Sequence, residues 1–502
     1  MNWKVIGRSL RNADMRKRIF AVLGILLVYR ILAHIPVPIS DPKTLHQVLS
    51  NVFSNGNSPQ FLNFLNVLSG GALANFSIMI AGLGPYINAS IIMQLLTKAI
   101  PRLETLHKEG EYGQKKINQY TRLITFPLAI IQSIGAVYLI RQTAQSIGGV
   151  GDITANATFG QWILMVAALT GGSMLLMWLG ELVTEQSLGN GISLLITVSI
   201  VSSLPRTVAQ FGSSIFDKSH SFTLLGHKFP INGRSLLTAV LLLVAVVIVT
   251  YLVVKLNEAA RNITINYAKR VQGNRAYGGV TTILPIKLIT AGVVPIIFAV
   301  AFLSVPTFAG QLFANSSNPH VKSIAIQATT LFQPPSSAQA FAAGGLHSYV
   351  YPLTYFLLVF VFTYFYTSIT FNSKEIAENL QKQGGFIEGI RSGAQTEKLL
   401  SKIVNRLTFF GALSLGLLAL LPIIAQIFLS ASIAIGGTSV LILVSVALQT
   451  LRSVESRALM VTYDQYSRAD FFYEPENAFE AATGATSRLR FLNRILPGKK
   501  KK

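Results

Sequence analysis

The sequence predicts an all-α polytopic membrane protein, and three observations support this fold class. Of the 502 residues, 51% are hydrophobic and only 12% are charged, whereas soluble domains carry about 25% charged residues. The mean hydropathy is +0.50. Apolar stretches long enough to cross about 30 Å of hydrocarbon recur along the whole chain. A bundle of membrane-spanning helices can run to this length as one body.

Each predicted span is an apolar run close to the roughly 20 residues that a helix needs to cross a bilayer. We predict ten spans, at about 19–37, 77–99, 122–140, 162–180, 191–211, 236–255, 285–305, 350–371, 407–429 and 434–451. The first follows the basic stretch RNADMRKR and has no small-residue cleavage site after it. It is therefore predicted to be a retained helix and not a removed signal peptide.

Lys and Arg are distributed unevenly between the two sides of this bundle. Arg30 lies within the first span, and few of the 42 basic residues fall on one side. Those few are Lys43, Arg141, Arg206, Lys218, Lys228, Arg234 and Lys322. Since cytoplasmic loops carry the excess of basic residues, both termini are predicted to be cytoplasmic. This topology accounts for most of the net charge of +22.

The chain lacks the residues that several function classes need. It has no cysteine, which excludes disulfides, thiol nucleophiles and thiolate metal sites. No nucleotide-binding, zinc-protease or serine-hydrolase motif occurs. The spans hold almost no ionisable residue at mid-depth, where an intramembrane enzyme or an ion-coupled carrier keeps one. Arg30 is the main exception, and it lies towards the outer end of its helix, where snorkelling is easy. No enzymatic activity and no cofactor are expected.

The stretch SGGALANFSIMIAGLGPYINASIIMQLL (69–96) is unlike a passive anchor. Gly84 and Pro85 interrupt the second span, and Asn88 and Gln94 follow them. Backbone groups freed by such a break must be satisfied within protein or by water. A kinked packing helix explains a lone proline. The glycines before the break and the polar residues after it favour a short half-helix, followed by a full helix, inside the protein.

Several separated stretches resemble, in order and at matching spacing, the SecY family of bacterial protein-conducting channels. They include FLNVLSGGAL, GPYINASIIMQLL, KEGEYGQKKINQYTR, MWLGELVTEQSLGNGIS, AGVVPIIFA and GGTSVLILVSVALQTL. The resemblance implies ten transmembrane helices in two pseudo-symmetric inverted halves around a central pore. The implied divisions are 1–211 for the N-terminal half, 212–235 for an external hinge loop, 236–451 for the C-terminal half and 452–502 for a cytoplasmic tail.

The resemblance also implies a pore that is closed by an apolar ring and a plug. The residues that match the ring are Leu83, Ile87, Ile192, Ile196, Ile297 and Ile442. The residues that match the plug are Leu65, Asn66, Val67, Leu68, Ser69, Gly70, Gly71, Ala72, Leu73, Ala74, Asn75 and Phe76. A ring without donors or acceptors disfavours ions and continuous water, and it offers no fixed partner to a passing polypeptide.

A lateral gate and a docking surface complete the implied site. The gate lies between spans 2 and 3 on one side and spans 7 and 8 on the other, with Asn88 and Gln94 on a gate-facing helix. Two basic cytoplasmic loops, 256–284 and 372–406, match the family's surface for ribosomes and for the SecA motor ATPase. The docking residues are Arg391, Arg270, Arg275, Lys269 and Lys382. Cationic loops suit the phosphates of ribosomal RNA, although positive-inside topology alone also explains their charge.

The implied function is movement of unfolded secretory chains across the bacterial cytoplasmic membrane, with lateral release of apolar segments into membrane lipids. The implied partners are the small subunits SecE and SecG, SecA, the ribosome with its nascent chain, and signal peptides. Two alternatives stay open at the level of sequence. One is a secondary solute transporter with a broken second helix, and the other is an accessory SecY paralogue for a restricted substrate set.

Overall fold

The computed structural model describes most of the chain. The described residues are 13–37, 69–146, 158–215, 222–224, 227–229, 233–313, 318–332, 345–429 and 436–467, apart from short gaps at 74, 268, 273–274, 280 and 293. The helices are α1 (Ala13–Leu32), α2 (Gly84–Ala99), α3 (Pro101–Lys108), α4 (Glu111–Ser146), α5 (Phe159–Glu185), α6 (Gly191–Ile215), α7 (Gly233–Glu258), α8 (Val294–Phe313), α9 (Pro319–Leu331), α10 (Val350–Thr370), α11 (Ser373–Lys382), α12 (Ala394–Leu429) and α13 (Gly436–Ser467). A short 3₁₀ helix covers Gly345–Tyr349.

Seven short strands accompany the helices. They are β1 (Phe222–Leu224), β2 (His227–Phe229), β3 (Ala260–Tyr267), β4 (Lys269–Gln272), β5 (Arg275–Gly278), β6 (Thr281–Lys287) and β7 (Gly385–Ile387). All of them lie in connections between long helices. The predicted all-α fold class is therefore confirmed for the body of the protein, with local strands that the sequence analysis did not anticipate.

Helices lie at all ten predicted span positions, although the number that cross a membrane stays a prediction. Seven stretches among the described residues are long and apolar enough to do so: Glu111–Tyr138, Phe159–Glu185, Ala239–Glu258, Val294–Phe313, His347–Lys382, Ala394–Leu421 and Ser439–Met460. The stretch Gly191–Pro205 in α6 is apolar but shorter. The remaining two predicted spans overlap α1 and α2, of 20 and 16 residues.

Two spans begin later than the apolar runs suggested. The second was predicted from 77, but α2 starts at Gly84, with Pro85 in its first turn. The seventh was predicted from 285, but β6 continues to Lys287 and α8 starts only at Val294. A left-handed glycine precedes each helix, since φ is +59° at Gly82 and +62° at Gly292. Such a residue cannot belong to a right-handed helix, so the helix begins after it.

The two long connections predicted to be cytoplasmic join in one three-stranded sheet with the strand order β6-β3-β7. Strand β3 pairs antiparallel with β6, placing Ile263 opposite Leu284, and with β7, placing Ile265 opposite Ile387. One face of this sheet packs on α11 and the start of α12. The buried residues of that cluster are Ile263, Ile265, Ile286, Leu380, Ile387, Leu400, Ile403 and Val404. The two connections therefore form one folded unit.

The largest apolar core contains helices from both predicted halves. Helix α2 contacts α8, and α6 contacts both α7 and α13. Buried side chains from α2, α6, α8 and α13 belong to this one cluster, including Ile87, Ile196, Ile296 and Ile442. Segments far apart in the sequence thus meet at the centre of the molecule, where the candidate site lies.

Candidate functional site

A cavity of about 420 Å³ lies between α2, α4 and α8 and is also lined by Ile196 of α6 and Ile442 of α13. Its described lining includes no Asp, Glu, Lys, Arg or His. Five of the six predicted ring residues line it: Leu83, Ile87, Ile196, Ile297 and Ile442. The sixth, Ile192, does not line the cavity but packs against the same apolar core. The structure therefore brings the predicted ring residues together.

The predicted ring residues differ in how far they are buried. Leu83 and Ile87 are each 8% exposed, Ile442 is 4% exposed and Ile196 is 1% exposed. Ile192 and Ile297 are half-buried. Leu83 directly precedes α2, and the other ring residues lie in α2, α6, α8 and α13. Because these segments are far apart in the sequence, no local sequence pattern could have grouped the six residues. The structure thus brings six aliphatic side chains from distant parts of the chain into one apolar core.

The sequence contains a repeated motif at the start of α2 and α8. The stretch AGLGP (81–85) leads into α2, and AGVVP (291–295) leads into α8. In each case a glycine with positive φ is followed three residues later by a proline in the first helical turn. Ile87 and Ile297 each follow that proline by two positions. The two helices thus present corresponding isoleucines to the cavity.

The two predicted gate residues occupy different environments. Asn88 lines the cavity. Gln94 lies two turns further along α2, where its amide nitrogen donates to Ser90 Oγ at 3.2 Å. The amide oxygen of Gln94 is buried and has no hydrogen-bond partner among the described residues. Of the pair, Asn88 is therefore the residue that faces the space between α2, α4 and α8.

Residues of α4 and α8 close the same space, and the sequence analysis did not identify them. Leu128, Ile131 and Gln132 of α4 line the cavity, as does Phe308 of α8. Gly135 of α4 accommodates the ring of Phe308, since a Cβ at this glycine would overlap the ring. A glycine in a membrane helix that lets a neighbour approach closely is a common packing device. Nothing local in the sequence links Gly135 to Phe308.

The described part of the predicted plug is not helical, so the predicted half-helix is wrong for these residues. Ser69–Leu73, Asn75 and Phe76 form turns, while Leu65–Leu68 and Ala74 lie outside the described residues. The physical reason is local, because φ is positive at Gly70, Gly71 and Phe76, and a right-handed helix cannot pass through them. Ser69 and Leu73 nevertheless line the cavity between α2, α4 and α8. The segment therefore reaches the same cavity as five of the predicted ring residues.

Arg30 also differs from its expected role. Its guanidinium Nη1 donates to the carbonyl oxygen of Gly70 at 2.9 Å. From its position near the outer end of the first span, this side chain was predicted to snorkel towards water. A buried carbonyl that lacks a helical partner needs a donor, and Arg30 supplies one, which ties α1 to the turns at 69–76.

The predicted docking residues all lie on the unit that contains the three-stranded sheet or on the β4–β5 hairpin beside it. Arg391 is exposed in the turn after β7, and its carbonyl oxygen accepts a hydrogen bond from the Thr396 hydroxyl at 3.1 Å. Lys382 is exposed at the end of α11. Lys269 and Arg270 belong to β4, and Arg275 of β5 pairs with Gln272 of β4. The hydrogen bond from Thr396 thus anchors the backbone at Arg391, whose side chain is exposed.

Known proteins resemble this chain in sequence and in fold. The family model described as SecY matches residues 77–451. The protein translocase subunit SecY of Streptomyces galbus is 39% identical over 467 residues, which cover 92% of this chain and 99% of that protein. A solved structure described as a protein conducting channel has a TM-score of 0.57 at 19% identity and covers 86% of this chain and 91% of its own.

A second solved structure, Sec61 in the canine ribosome-channel complex from the endoplasmic reticulum, has a TM-score of 0.55 at 19% identity. It covers 86% of this chain and 91% of its own. At these identities the two structures establish the likeness of fold. The family model extends over far more than half of the residues, and the Streptomyces relative matches almost from end to end. This chain therefore belongs to the SecY family.

Proposed function

We propose that this chain is a protein-conducting channel, which moves unfolded secretory polypeptides across the bacterial cytoplasmic membrane and releases apolar segments sideways into lipid. The observation that carries the proposal is that α2, α6, α8 and α13 bring the predicted ring residues into one apolar core, which we interpret as the constriction of the pore. Such a constriction blocks ions by excluding continuous water. It also imposes no specific partner on the side chains of a passing polypeptide, which a channel for many different substrates requires.

The proposed lateral release uses the cavity between α2, α4 and α8. Its lining is mostly aliphatic and aromatic, so it resembles the lipid interior more than water. A central Leu, Ile, Val or Phe favours insertion by about 0.3–0.6 kcal/mol, whereas a central Arg, Lys or Asp opposes it by about 2.5–3.5 kcal/mol. One central charge thus offsets roughly six leucines. An apolar signal peptide or span would leave through the gate, and a polar segment would continue through the pore.

In this proposal the two halves, residues 1–211 and 236–451, part around the pore while the chain performs no chemistry of its own. ATP hydrolysis by SecA or elongation by the ribosome would drive transport, and small subunits resembling SecE and SecG would clamp the halves. Support for a ribosome partner comes from the fold likeness to Sec61 in a ribosome-channel complex. The exposed cations beside the three-stranded sheet support docking, because they can neutralise phosphates.

The decisive experiment is reconstitution of the full chain with SecE in liposomes. With SecA, ATP and an unfolded preprotein added, we expect the preprotein to become protected from external protease. A solute carrier would leave it exposed, and that outcome would contradict the proposal. An accessory paralogue would also pass this test. Its depletion from cells, however, would reduce the export of only a few proteins.

Charge reversal at Arg391 is expected to weaken SecA-driven export. A hydrogen bond to a charged group contributes roughly 1.5–3 kcal/mol, so losing one corresponds to a roughly ten- to hundredfold lower apparent affinity. Arg391→Glu is measured by the SecA concentration that gives half-maximal preprotein protection. Lys398→Glu, which reverses an exposed cation on α12 of the same unit, is the matched control and should change this concentration little. Equal effects of the two variants would show that only net charge matters, and the assignment of Arg391 would then fail.

A further inference from the structure

Tyr29 of α1 is a buried tyrosine whose hydroxyl lies between two other segments of the chain. The residue is 2% exposed. Its Oη lies 2.5 Å from Ser199 Oγ on α6 and 3.3 Å from the carbonyl oxygen of Ser69. The Ser199 hydroxyl has two acceptors within reach, Tyr29 Oη and the carbonyl oxygen of Leu195 at 2.9 Å, and when it donates to Tyr29, the Tyr29 hydroxyl donates to Ser69. This short chain of hydrogen bonds connects α6 through α1 to the turns at 69–76.

A second hydrogen bond holds the neighbouring residue. The carbonyl oxygen of Gly70 accepts from Arg30 Nη1 at 2.9 Å. The Ser202 hydroxyl lies 3.4 Å from the same oxygen, although it is nearer, at 2.7 Å, to the carbonyl oxygen of Ser199. Arg30 is thus the main donor to Gly70. Adjacent residues of α1 therefore secure adjacent carbonyl groups of the segment.

The segment fits this arrangement only because residue 70 is glycine. Its φ of +67° is unfavourable for other residues. A Cβ at this position would lie 2.8 Å from Tyr29 Oη and 3.1 Å from Ser199 Cα. The close approach of Gly70 to α1 and α6 is therefore what allows both of its neighbours on α1 to reach the backbone of the segment.

We propose that Tyr29, Arg30 and Ser199 form a polar latch, defined by these three residues, that holds the segment 69–76 over the constriction while the channel is at rest. The latch rests on the proposed function, and it adds positioning residues that neither the ring nor the predicted plug includes. All of its acceptors on the segment are backbone carbonyls, the Ser69 and Gly70 oxygens, so these hydrogen bonds do not depend on the side chains of the segment. The latch sets how readily the segment moves away.

The test uses the absence of native cysteine. Asn75→Cys places a single thiol in the segment, and its reaction rate with a membrane-impermeant maleimide reports displacement. The full chain is reconstituted with SecE in liposomes, without SecA or preprotein. Adding Tyr29→Phe and Arg30→Gln removes the tyrosine donor while keeping its ring, and replaces the charged guanidinium donor by a shorter, neutral amide. We expect labelling to become about tenfold faster, since each buried hydrogen bond contributes to the closed position. Resting ion conductance should rise with it.

Two further variants separate the latch from a general structural role. Tyr355→Phe removes another buried hydroxyl, one without a hydrogen-bond partner among the described residues, and it should leave labelling unchanged. Ser199→Ala removes the α6 partner of the Tyr29 hydroxyl, together with the hydrogen bond from Ser199 to the Leu195 carbonyl oxygen, and should give a smaller increase. Arg30→Lys keeps a cationic donor and should restore slow labelling when it replaces Arg30→Gln. Thermal unfolding should be similar in all variants.

Parental labelling rates in the Tyr29→Phe/Arg30→Gln and Ser199→Ala variants would overturn the latch, and so would faster labelling that appears only together with a lower unfolding temperature. Labelling needs no transport. If the parent chain fails to move a preprotein, the proposed function fails, while the latch is still judged by its own rates.

Discussion

Replacing Ile196 and Ile442 together by serine is expected to make the resting channel leak ions. Both side chains are buried at the constriction, 1% and 4% exposed, and they come from α6 and α13 in different halves. A hydroxyl on each side supplies donors and acceptors that stabilise water in the gap, so the barrier from dewetting falls. A barrier lower by about 1.4 kcal/mol raises a rate about tenfold. We expect at least this increase in conductance across planar bilayers without any translocating chain.

Matched variants distinguish a leak through the constriction from a loosened fold. Ile196→Leu with Ile442→Leu conserves volume and apolarity, so conductance should remain at the parental level. Leu415→Ser with Ile423→Ser places two hydroxyls in the same apolar core, on α12 and away from the cavity lining. That pair tests whether destabilisation alone produces a leak. If the serine pair at 196 and 442 conducts no better than the parent, these residues do not form the seal.

Hydropathy predicted where helices occur but not where two of them begin. Each of the ten apolar runs overlaps a helix of the structure. They gave wrong starts for the second and seventh spans because hydropathy does not register the backbone conformation of Gly82 and Gly292. The signal was present in the sequence as the repeated pattern Ala-Gly-x-x-Pro. In this pattern, glycine favours a left-handed conformation that a helix cannot include, and proline favours the first turn of a helix. Together the two residues predict that each helix begins between them.

The candidate site depended on contacts between distant segments, which periodicity and composition cannot supply. Only the family resemblance grouped the six ring residues, and the structure places five of them around one cavity. For Arg30, snorkelling was a reasonable expectation, because its carbonyl partner at Gly70 is 40 residues away and visible only in the fold. The pairing of β3 with β7 is similar, since it joins two connections more than a hundred residues apart.

Joining α4 to α8 by a reversible cross-link between residues 135 and 308 is expected to stop preprotein transport. The ring of Phe308 packs directly on Gly135, so the two helices are in contact where the proposed gate must part. In the variant Gly135→Cys/Phe308→Cys, the new Cβ at 135 takes space that the phenylalanine ring occupied. No other thiol is present, so a short methanethiosulfonate reagent can link only this pair. Transport should fall to background after cross-linking and return when dithiothreitol cleaves the link.

A cross-link within one half is the control, because it tests whether immobilising α4 blocks transport when the proposed gate is not bridged. Thr170 Oγ1 of α5 donates to Ser133 Oγ of α4 at 3.4 Å, and both helices belong to the same predicted half. Linking Ser133→Cys to Thr170→Cys therefore immobilises α4 without bridging the proposed gate, and transport should continue. If the pair at 135 and 308 still transports when fully linked, α4 and α8 need not separate, and polypeptides must use another path. If both pairs block transport, motion of α4 within its own half is required, and the gate cannot be a simple parting of two rigid halves.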